Sequence, residues 1–246
     1  LGNKFLSHIR ETQAIVIVLR VFKNPEIIHV EGAPDPIRDM EIINAELILK
    51  DLETIEKRLS GLENEKKSGD KKAEKNLEVL DKIRGELGAG NLATKYAKEE
   101  IVRELQLLTA KKQIYLLNGT EFEVPIELLE KIKELGADYV IADLSLASAI
   151  PELIKKSYEV LGLISFLTTG EDETRAWTIE KGTLAPQAAG VIHTDFDKNF
   201  IRAEVVNWKK LVEAKGWVQA KQKGLVRVEG KDYEVKDGDV IVVRHG

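Results

Sequence analysis

The sequence contains no cysteine, which excludes disulfides and any thiolate metal site. Its four histidines, His8, His29, His193 and His245, are scattered, so no structural zinc site is expected. No apolar run approaches the roughly 18–20 residues of a membrane-crossing helix. No basic-then-apolar leader opens the chain. A membrane partner is therefore not expected, and the cytoplasm is the expected compartment. Serines are few and none sits in a Gly-x-Ser-x-Gly elbow. The many neighbouring carboxylates fall on polar helix faces, where solvation accounts for them, so neither a serine hydrolase nor a glycosidase is indicated.

What is present is 246 residues with 43% hydrophobic and 32% charged content and a formal charge of −5. That length suits more than one core. The negative balance argues against an overall cationic surface and against a DNA partner, while leaving room for local basic patches.

The first two-thirds alternates strand and helix patterns. A short helix is predicted over 3–12, then a β-branched run, Ala14 to Leu19, of the kind buried on both sheet faces. Gly32-Ala33-Pro34-Asp35-Pro36 predicts a turn, with Asp35 as helix N-cap and Pro36 as the first helical residue. Apolar residues from Ile42 to Leu59 then recur at helical spacing, pause at Ser68-Gly69-Asp70 and resume through Leu77, Leu80, Ile83 and Leu87. Two long charged helices around a polar tip predict an antiparallel hairpin. A third helix is expected over Ala93 to Leu108. Strands at Gln113–Leu117 and Tyr139–Ala142, each followed by a helix, complete an α/β layer with a parallel sheet. The strands are few for a doubly wound sheet, and an exposed apolar strand edge is expected.

From about Leu163 the texture changes. Short strands are predicted at Ile164–Thr168, Ala176–Ile179, Phe200–Val206, Leu225–Val228 and Asp239–Arg244, punctuated by Gly182, Gly190, Gly224, Gly230 and Gly238 and interrupted by one short helix, Trp208–Ala214. This reads as a closing α+β module. His193, between Ile192 and Thr194-Asp195, reads as a hydrogen-bonded loop anchor rather than a catalyst.

Asn118-Gly119-Thr120-Glu121 follows a predicted buried strand, and ligands in open α/β sheets bind beyond the carboxyl ends of strands. Asn with an acid three residues on is the base-reading arrangement of P-loop GTPases. Glu in place of Asp, and Gly119 in place of Lys, weaken a guanine reading, and adenine offers a single exocyclic amine, N6. The same tetrad also reads as a turn that caps the next helix. No Gly-x-x-x-x-Gly-Lys-Ser/Thr and no strand-ending Asp-x-x-Gly occurs, so ATP turnover by this stretch alone is not expected. Two basic clusters remain: Lys66, Lys67, Lys71, Lys72 and Lys75 at the hairpin tip, and Lys209, Lys210, Lys215, Lys221, Lys223 and Arg227 beside Trp208 and Trp217. Each is either a phosphate- and base-binding surface or a solvated face.

Several ordered segments resemble the YchF, or Obg-like, ATPases. They are Gly2-Asn3-Lys4-Phe5-Leu6-Ser7-His8-Ile9-Arg10-Glu11, Asp35-Pro36-Ile37-Arg38-Asp39 with Glu41-Ile42-Ile43-Asn44, and Leu107-Leu108-Thr109-Ala110-Lys111. Arg175-Ala176-Trp177-Thr178-Ile179, the run Ala185 to Phe196, Gly230-Lys231-Asp232-Tyr233 and Asp237-Gly238-Asp239 continue the likeness. The resemblance implies α/β plus α+β organisation. Residues 1–34 and 107–162 would form part of a Ras-like P-loop domain, 35–106 an inserted coiled-coil arm, and 163–246 a β-grasp TGS domain. It implies ATP in preference to GTP, with the base at Asn118, Gly119 and Glu121 and with Ser145 at the start of a shortened base loop. Mg2+ and the phosphates would be held by a segment preceding Leu1, making the chain a fragment. The implied partner is the ribosome, with ribosomal RNA contacts at Lys66, Lys67, Lys71, Lys72, Lys209 and Lys210. The alternative is a non-enzymatic RNA or ribosome adaptor.

Overall fold

The computed structural model describes residues 2–29, 32, 34–170 and 173–246, with Asn3 described by its backbone alone. Two compact units divide after Ser157. Ala33 of the predicted turn lies outside the described residues.

The first unit is built on three parallel strands, β1 (Ala14–Arg20), β2 (Lys112–Asn118) and β3 (Asp138–Ala142), in the order β1-β2-β3. Strand β2 is central, and its run from Gln113 to Leu117 is buried on both faces, as its composition predicts. Strand β1 departs from that expectation. Ile15, Ile17 and Leu19 are buried, but Val16 and Val18 are 39% and 52% exposed. The cause is position: β1 pairs with β2 alone among the described residues, and a strand at a sheet edge keeps two-faced burial only where something covers its second face.

Helix α1 (Asn3–Arg10) precedes β1, and α2 (Pro36–Lys67) follows it. The start of α2 is the predicted one: the Asp35 side chain accepts from the Arg38 backbone N–H at 3.1 Å, with Pro36 in the first turn. The helix serves two cores in succession. Met40 and Leu47 pack with Ile17, Leu19, Tyr115 and Leu117 under the sheet. Ile48, Ile55, Leu59 and Leu62 pack instead with Leu80, Ile83 and Leu87 of α3 (Lys71–Gly88). Ile42 and Leu49, counted in the apolar stripe from sequence, are exposed. Between the helices Gly69 takes φ +89°, and Asp70 caps α3 by accepting from Lys72 and Ala73.

The third predicted helix is broken. A 3-10 turn at Ala93–Tyr96, a short α4 (Glu100–Leu105) and a second 3-10 turn at Leu108–Ala110 replace it, with Gln106 left-handed at φ 49°. The buried Asp51 carboxylate supplies the reason. It accepts from the backbone N–H of Leu108 (2.9 Å) and of Thr109 (2.7 Å), the donors a continued helix would direct to carbonyls four residues back. Helices α5 (Ile126–Glu134) and α6 (Ala149–Leu161) follow β2 and β3.

The second unit is a five-stranded mixed sheet, β4 (Leu163–Thr169), β5 (Thr174–Glu180), β6 (Phe200–Asn207), β7 (Arg227–Glu229) and β8 (Asp239–His245), ordered β5-β4-β8-β6-β7. Among the described residues only β4 and β8 pair in parallel. One face carries the core, where Ile164, Phe166, Ala203, Val205 and Ile241 meet Ala185, Ala188 and Ala189. Those alanines belong to α7 (Ala185–Ile192), which is followed by α8 (Thr194–Lys198). Besides α9 (Trp208–Ala214) there is also α10 (Trp217–Gln222). The expectation of a single helix is corrected to four. Gly190 masked α7 in the sequence. It is there for packing: a Cβ would lie 3.0 Å from the Asp197 Cβ of α8.

Candidate functional site

The base-reading candidates sit where β2 and β3 end. Asn118 is the last residue of β2, and its Oδ1 accepts from the Leu144 backbone N–H at 3.0 Å. Its own carbonyl accepts from Val21 at 3.1 Å, and Gly119 N–H donates to Ala142 at 3.3 Å. Asn118 thus ties three chain segments together at the carboxyl edge of a parallel sheet. The loop after β3 is held by a second local bond, Ser145 N–H to Asp143 Oδ1 at 2.9 Å. Bonds from Ser145 hold the Asp143 carboxyl below its ordinary value. Asn118 and Ser145 are therefore brought to the same loop cluster, one bonded at residue 144 and the other at 143.

Gly119 is buried with φ +151°, and a Cβ there would lie 2.6 Å from Val21 Cγ2. Only glycine fits this backbone conformation at such an approach. Glu121 opens the 3-10 turn Glu121–Glu123 and is exposed. Among the described residues its carboxylate has no partner, so it is free to accept from a ligand.

The tetrad is also a turn that caps. Thr120 N–H and its hydroxyl both donate to Glu123 Oε2, at 2.9 and 2.8 Å, completing a capping box. The bonds from Thr120 hold the Glu123 carboxyl below its ordinary value. Glu123 and Asp143 were not singled out from sequence. The Thr-x-x-Glu spacing is the signal that points to Glu123, whereas nothing local marks Asp143. Beside them Phe122 is fully exposed, and Leu146 is exposed as well, which leaves apolar surface next to the polar edge.

The basic clusters are partly neutralised. Lys66 pairs with Glu74 at 3.0 Å, and Lys72 pairs with Glu100 at 3.0 Å. Lys67, Lys71 and Lys75 have no acidic partner among the described residues. In the second unit Lys221 pairs with Glu204 at 2.7 Å, and Arg227 pairs with Glu229 at 3.3 Å. Lys209, Lys210, Lys215 and Lys223 have no acidic partner among the described residues. Trp217 is half-buried, with an indole N–H that finds no acceptor among the described residues. His193 anchors a turn: its ring nitrogen accepts from the Asp195 N–H at 3.3 Å at the start of α8. No group of three or more His, Asp or Glu able to hold a metal ion occurs among the described residues. No helix among them is long and apolar enough to cross a membrane.

Residues 163–246 match the family model YchF-GTPase_C, a protein of unknown function (DUF933). The ribosome-binding ATPase YchF of Bacillus subtilis is 41% identical over 278 residues, covering 99% of this chain and 76% of the relative. The Obg-like ATPase 1 of Saccharomyces cerevisiae is 39% identical over 285 residues, covering 100% of this chain and 72% of the relative. Both matched spans exceed the 246 residues of this chain, so these relatives carry residues within the span that it lacks. The solved structure of the Schizosaccharomyces pombe YchF GTPase superposes with a TM-score of 0.79 at 36% identity, covering 99% of this chain and 75% of that one. The chain belongs to the family of YchF and Obg-like ATPases.

Proposed function

We propose that this chain is part of a ribosome-associated nucleotide hydrolase in which Asn118 and Glu121 read the adenine of ATP in preference to the guanine of GTP. The observation that carries the reading is the pairing of a fixed Asn with a free acid at one strand end. Asn118 is locked by Leu144, and three residues on Glu121 presents an unpartnered carboxylate. One free carboxylate on a longer arm suits the single N6 amine of adenine. Ser145, in the loop that Asn118 holds, would border the base, and Gly119 would meet it through its backbone.

On this reading the first unit is the downstream part of a Ras-like P-loop domain with the α2–α3 arm inserted. The second unit is a β-grasp TGS module. No group of three or more His, Asp or Glu able to hold a metal ion occurs among the described residues, and no phosphate-binding Gly-x-x-x-x-Gly-Lys-Ser/Thr occurs in the sequence. On this reading phosphate and Mg2+ would be held by residues outside this stretch, and the cytoplasm is where such a protein would work. Relatives are named ATPases and the solved structure a GTPase, so nucleotide preference is the property to measure. Titration of the protein as its gene encodes it should show tighter binding of ATP than of GTP, and Glu121→Asp should narrow the gap. Equal or reversed affinities would remove the adenine reading.

A second reading, a non-enzymatic ribosome or RNA adaptor, draws on Lys67, Lys71 and Lys75, which lie at the hairpin tip without acidic partners. It expects salt-sensitive co-sedimentation with ribosomes in the absence of nucleotide. Charge reversal at these three lysines should weaken sedimentation; if it does not, the tip plays no part.

A further inference from the structure

The second unit holds a groove of about 560 Å³ on the sheet face opposite its core, lined by Ser165, Leu167, Thr169, Trp208, Asp237 and Val240 among others. Side chains alternate across a strand. Ile164 and Phe166 of β4 enter the core, and Ser165, Leu167 and Thr169 are turned to the groove. Helix α9 forms the opposite wall with Trp208, Leu211 and Val212.

The wall is built for an open aromatic face. Gly238, at φ +76°, lies so close under the indole that a Cβ would stand 2.6 Å from Trp208 Cδ1. The Trp208 backbone N–H donates to the Gly238 carbonyl at 2.9 Å, and the Gly238 N–H donates to the Ser165 carbonyl at 2.8 Å. These main-chain bonds fix the start of α9 to the sheet, and the indole rests against Gly238 while the residue stays 44% exposed. Trp208 is thus held in place and still presents ring surface to the groove.

The polar groups at the rim are arranged with spare capacity. Asp237 Oδ1 accepts from the Ser165 N–H at 2.9 Å, and its other oxygen has no partner among the described residues. The hydroxyls of Thr169 and Thr174 bond to each other at 2.9 Å, which spends one proton and leaves the other. Lys209 Nζ stands 5.7 Å from the Trp208 ring centroid and, like Lys210, has no acidic partner among the described residues.

A ligand that satisfies all of these must be flat and apolar, carry an N–H edge for a carboxylate, and bear an anionic group for unpaired lysines. A cationic peptide side chain would suit Asp237 but would be repelled by Lys209. An acidic one would suit Lys209 but not Asp237. We propose that this groove is a binding site for a nucleobase carrying phosphate, with the base against Trp208, one N–H on the free oxygen of Asp237 and the phosphate near Lys209. Grooves of roughly 300–1,000 Å³ are the size that takes such ligands. The site is independent of the Asn118 reading and lies in the other unit.

The test is fluorescence anisotropy of the full chain with a labelled single-stranded RNA decamer, competed by AMP, GMP, CMP and UMP. Either the decamer or a mononucleotide should bind. Tighter binding of the decamer assigns the base to RNA, and full competition by a mononucleotide assigns it to a free nucleotide. Trp208→Leu should weaken that binding by about tenfold or more, since stacking on an aromatic carries much of such affinity. Asp237→Asn keeps an acceptor for Ser165 but replaces the free oxygen with a donor, and should weaken binding of bases that offer an N–H. Lys209→Gln, at an exposed position, should reduce the salt slope for RNA by about 0.7, one phosphate's worth. These two surface variants keep the test decisive if Trp208→Leu fails to fold. No binding of either probe, or binding that none of the three variants moves, would overturn the proposal. An apolar dye that enters the groove but is displaced by neither probe would likewise overturn it and point to protein side chains. The same variants carried through the ATP and GTP titrations separate this site from Asn118.

Discussion

Arg10 and Asp51 divide between them the backbone groups that a continued helix at 104–109 would pair internally. Asp51 takes the N–H groups of Leu108 and Thr109, while Arg10 Nη1 donates to the carbonyls of Leu105 and Gln106 at 2.9 and 3.1 Å. The two side chains lie 3.8 Å apart, and Arg10 also reaches Thr54 of α2 at 2.8 Å. Helix α1, the arm and the connecting turn are joined at this one charged knot.

Removing Asp51 should therefore be costly. Asp51→Ala leaves two buried N–H donors without acceptors, which should destabilise the first unit by about 2–4 kcal/mol, read by chemical denaturation. The pH dependence has a definite sign. Burial is the largest influence and raises the Asp51 carboxyl above its ordinary value, against the bonds from Thr109 and Leu108 and the charge of Arg10. The folded protein thus holds that proton more readily than the unfolded chain. The associated stability is full below the ordinary carboxyl value and is lost as pH rises through the raised one. Relative to Asp51→Asn, the native protein should gain stability as pH falls through that window.

Glu204 should behave in the opposite sense. Its carboxylate accepts from Lys221 at 2.7 Å and from Arg244 at 3.2 Å. The bond from Lys221 chiefly, with help from Arg244, holds its carboxyl below the ordinary value. Its contribution is present above the unfolded carboxyl value and lost as pH falls through the depressed one. Glu204→Gln should cost about 0.5–1 kcal/mol at neutral pH, a figure discounted for solvent screening, and the gap should close in acid. Thermal melts at pH 7 and pH 3 would check it.

At Gly119 the expected effect is steric. The residue pairing common in guanine readers, Asn followed by Lys, cannot be copied here, because any Cβ at 119 meets Val21 Cγ2 at 2.6 Å. Gly119→Ala should destabilise the fold by about 1–3 kcal/mol and weaken nucleotide binding together with it. Retention of both native stability and native affinity would show that the loop accommodates a side chain.

The open side of β1 predicts self-association. Val16 and Val18 are exposed on an edge strand, a known route to intermolecular pairing. Val18→Lys should raise the concentration at which the chain stays monomeric, measured by analytical ultracentrifugation, with a stability change within about 0.5 kcal/mol.

The runs Ile-Val-Ile-Val in β1 and Ile-Tyr-Leu-Leu in β2 are equally apolar, yet one lies at an edge and one in the centre. Composition reports that a strand forms; which neighbours cover it is decided by pairing that no local pattern encodes. The break between α4 and Leu108 was equally hidden, since no Gly or Pro marks it and the residue responsible, Asp51, lies 57 positions away. Helix α7 was missed although Pro186 near its start and its alanines are helix signals, because Gly190 read as a strand boundary. At the candidate site the legible part was the position of Asn118 at a strand end. The capping turn was legible too, though its Glu123 partner was not singled out, and the capping box shows that one tetrad can be both a turn and a presenter of the Glu121 carboxylate.

The 32-residue α2 spans about 48 Å at 1.5 Å per residue, with roughly 24 Å between Asp51 and the tip. The helix passes from one core into another without interruption, so any tilt of its outer half would pivot where Arg10 and Asp51 meet. A tilt of about 10° there would carry the lysines at the tip some ~4 Å across whatever they touch, at the 1.5 Å per-residue rise, while moving the residues under the sheet far less.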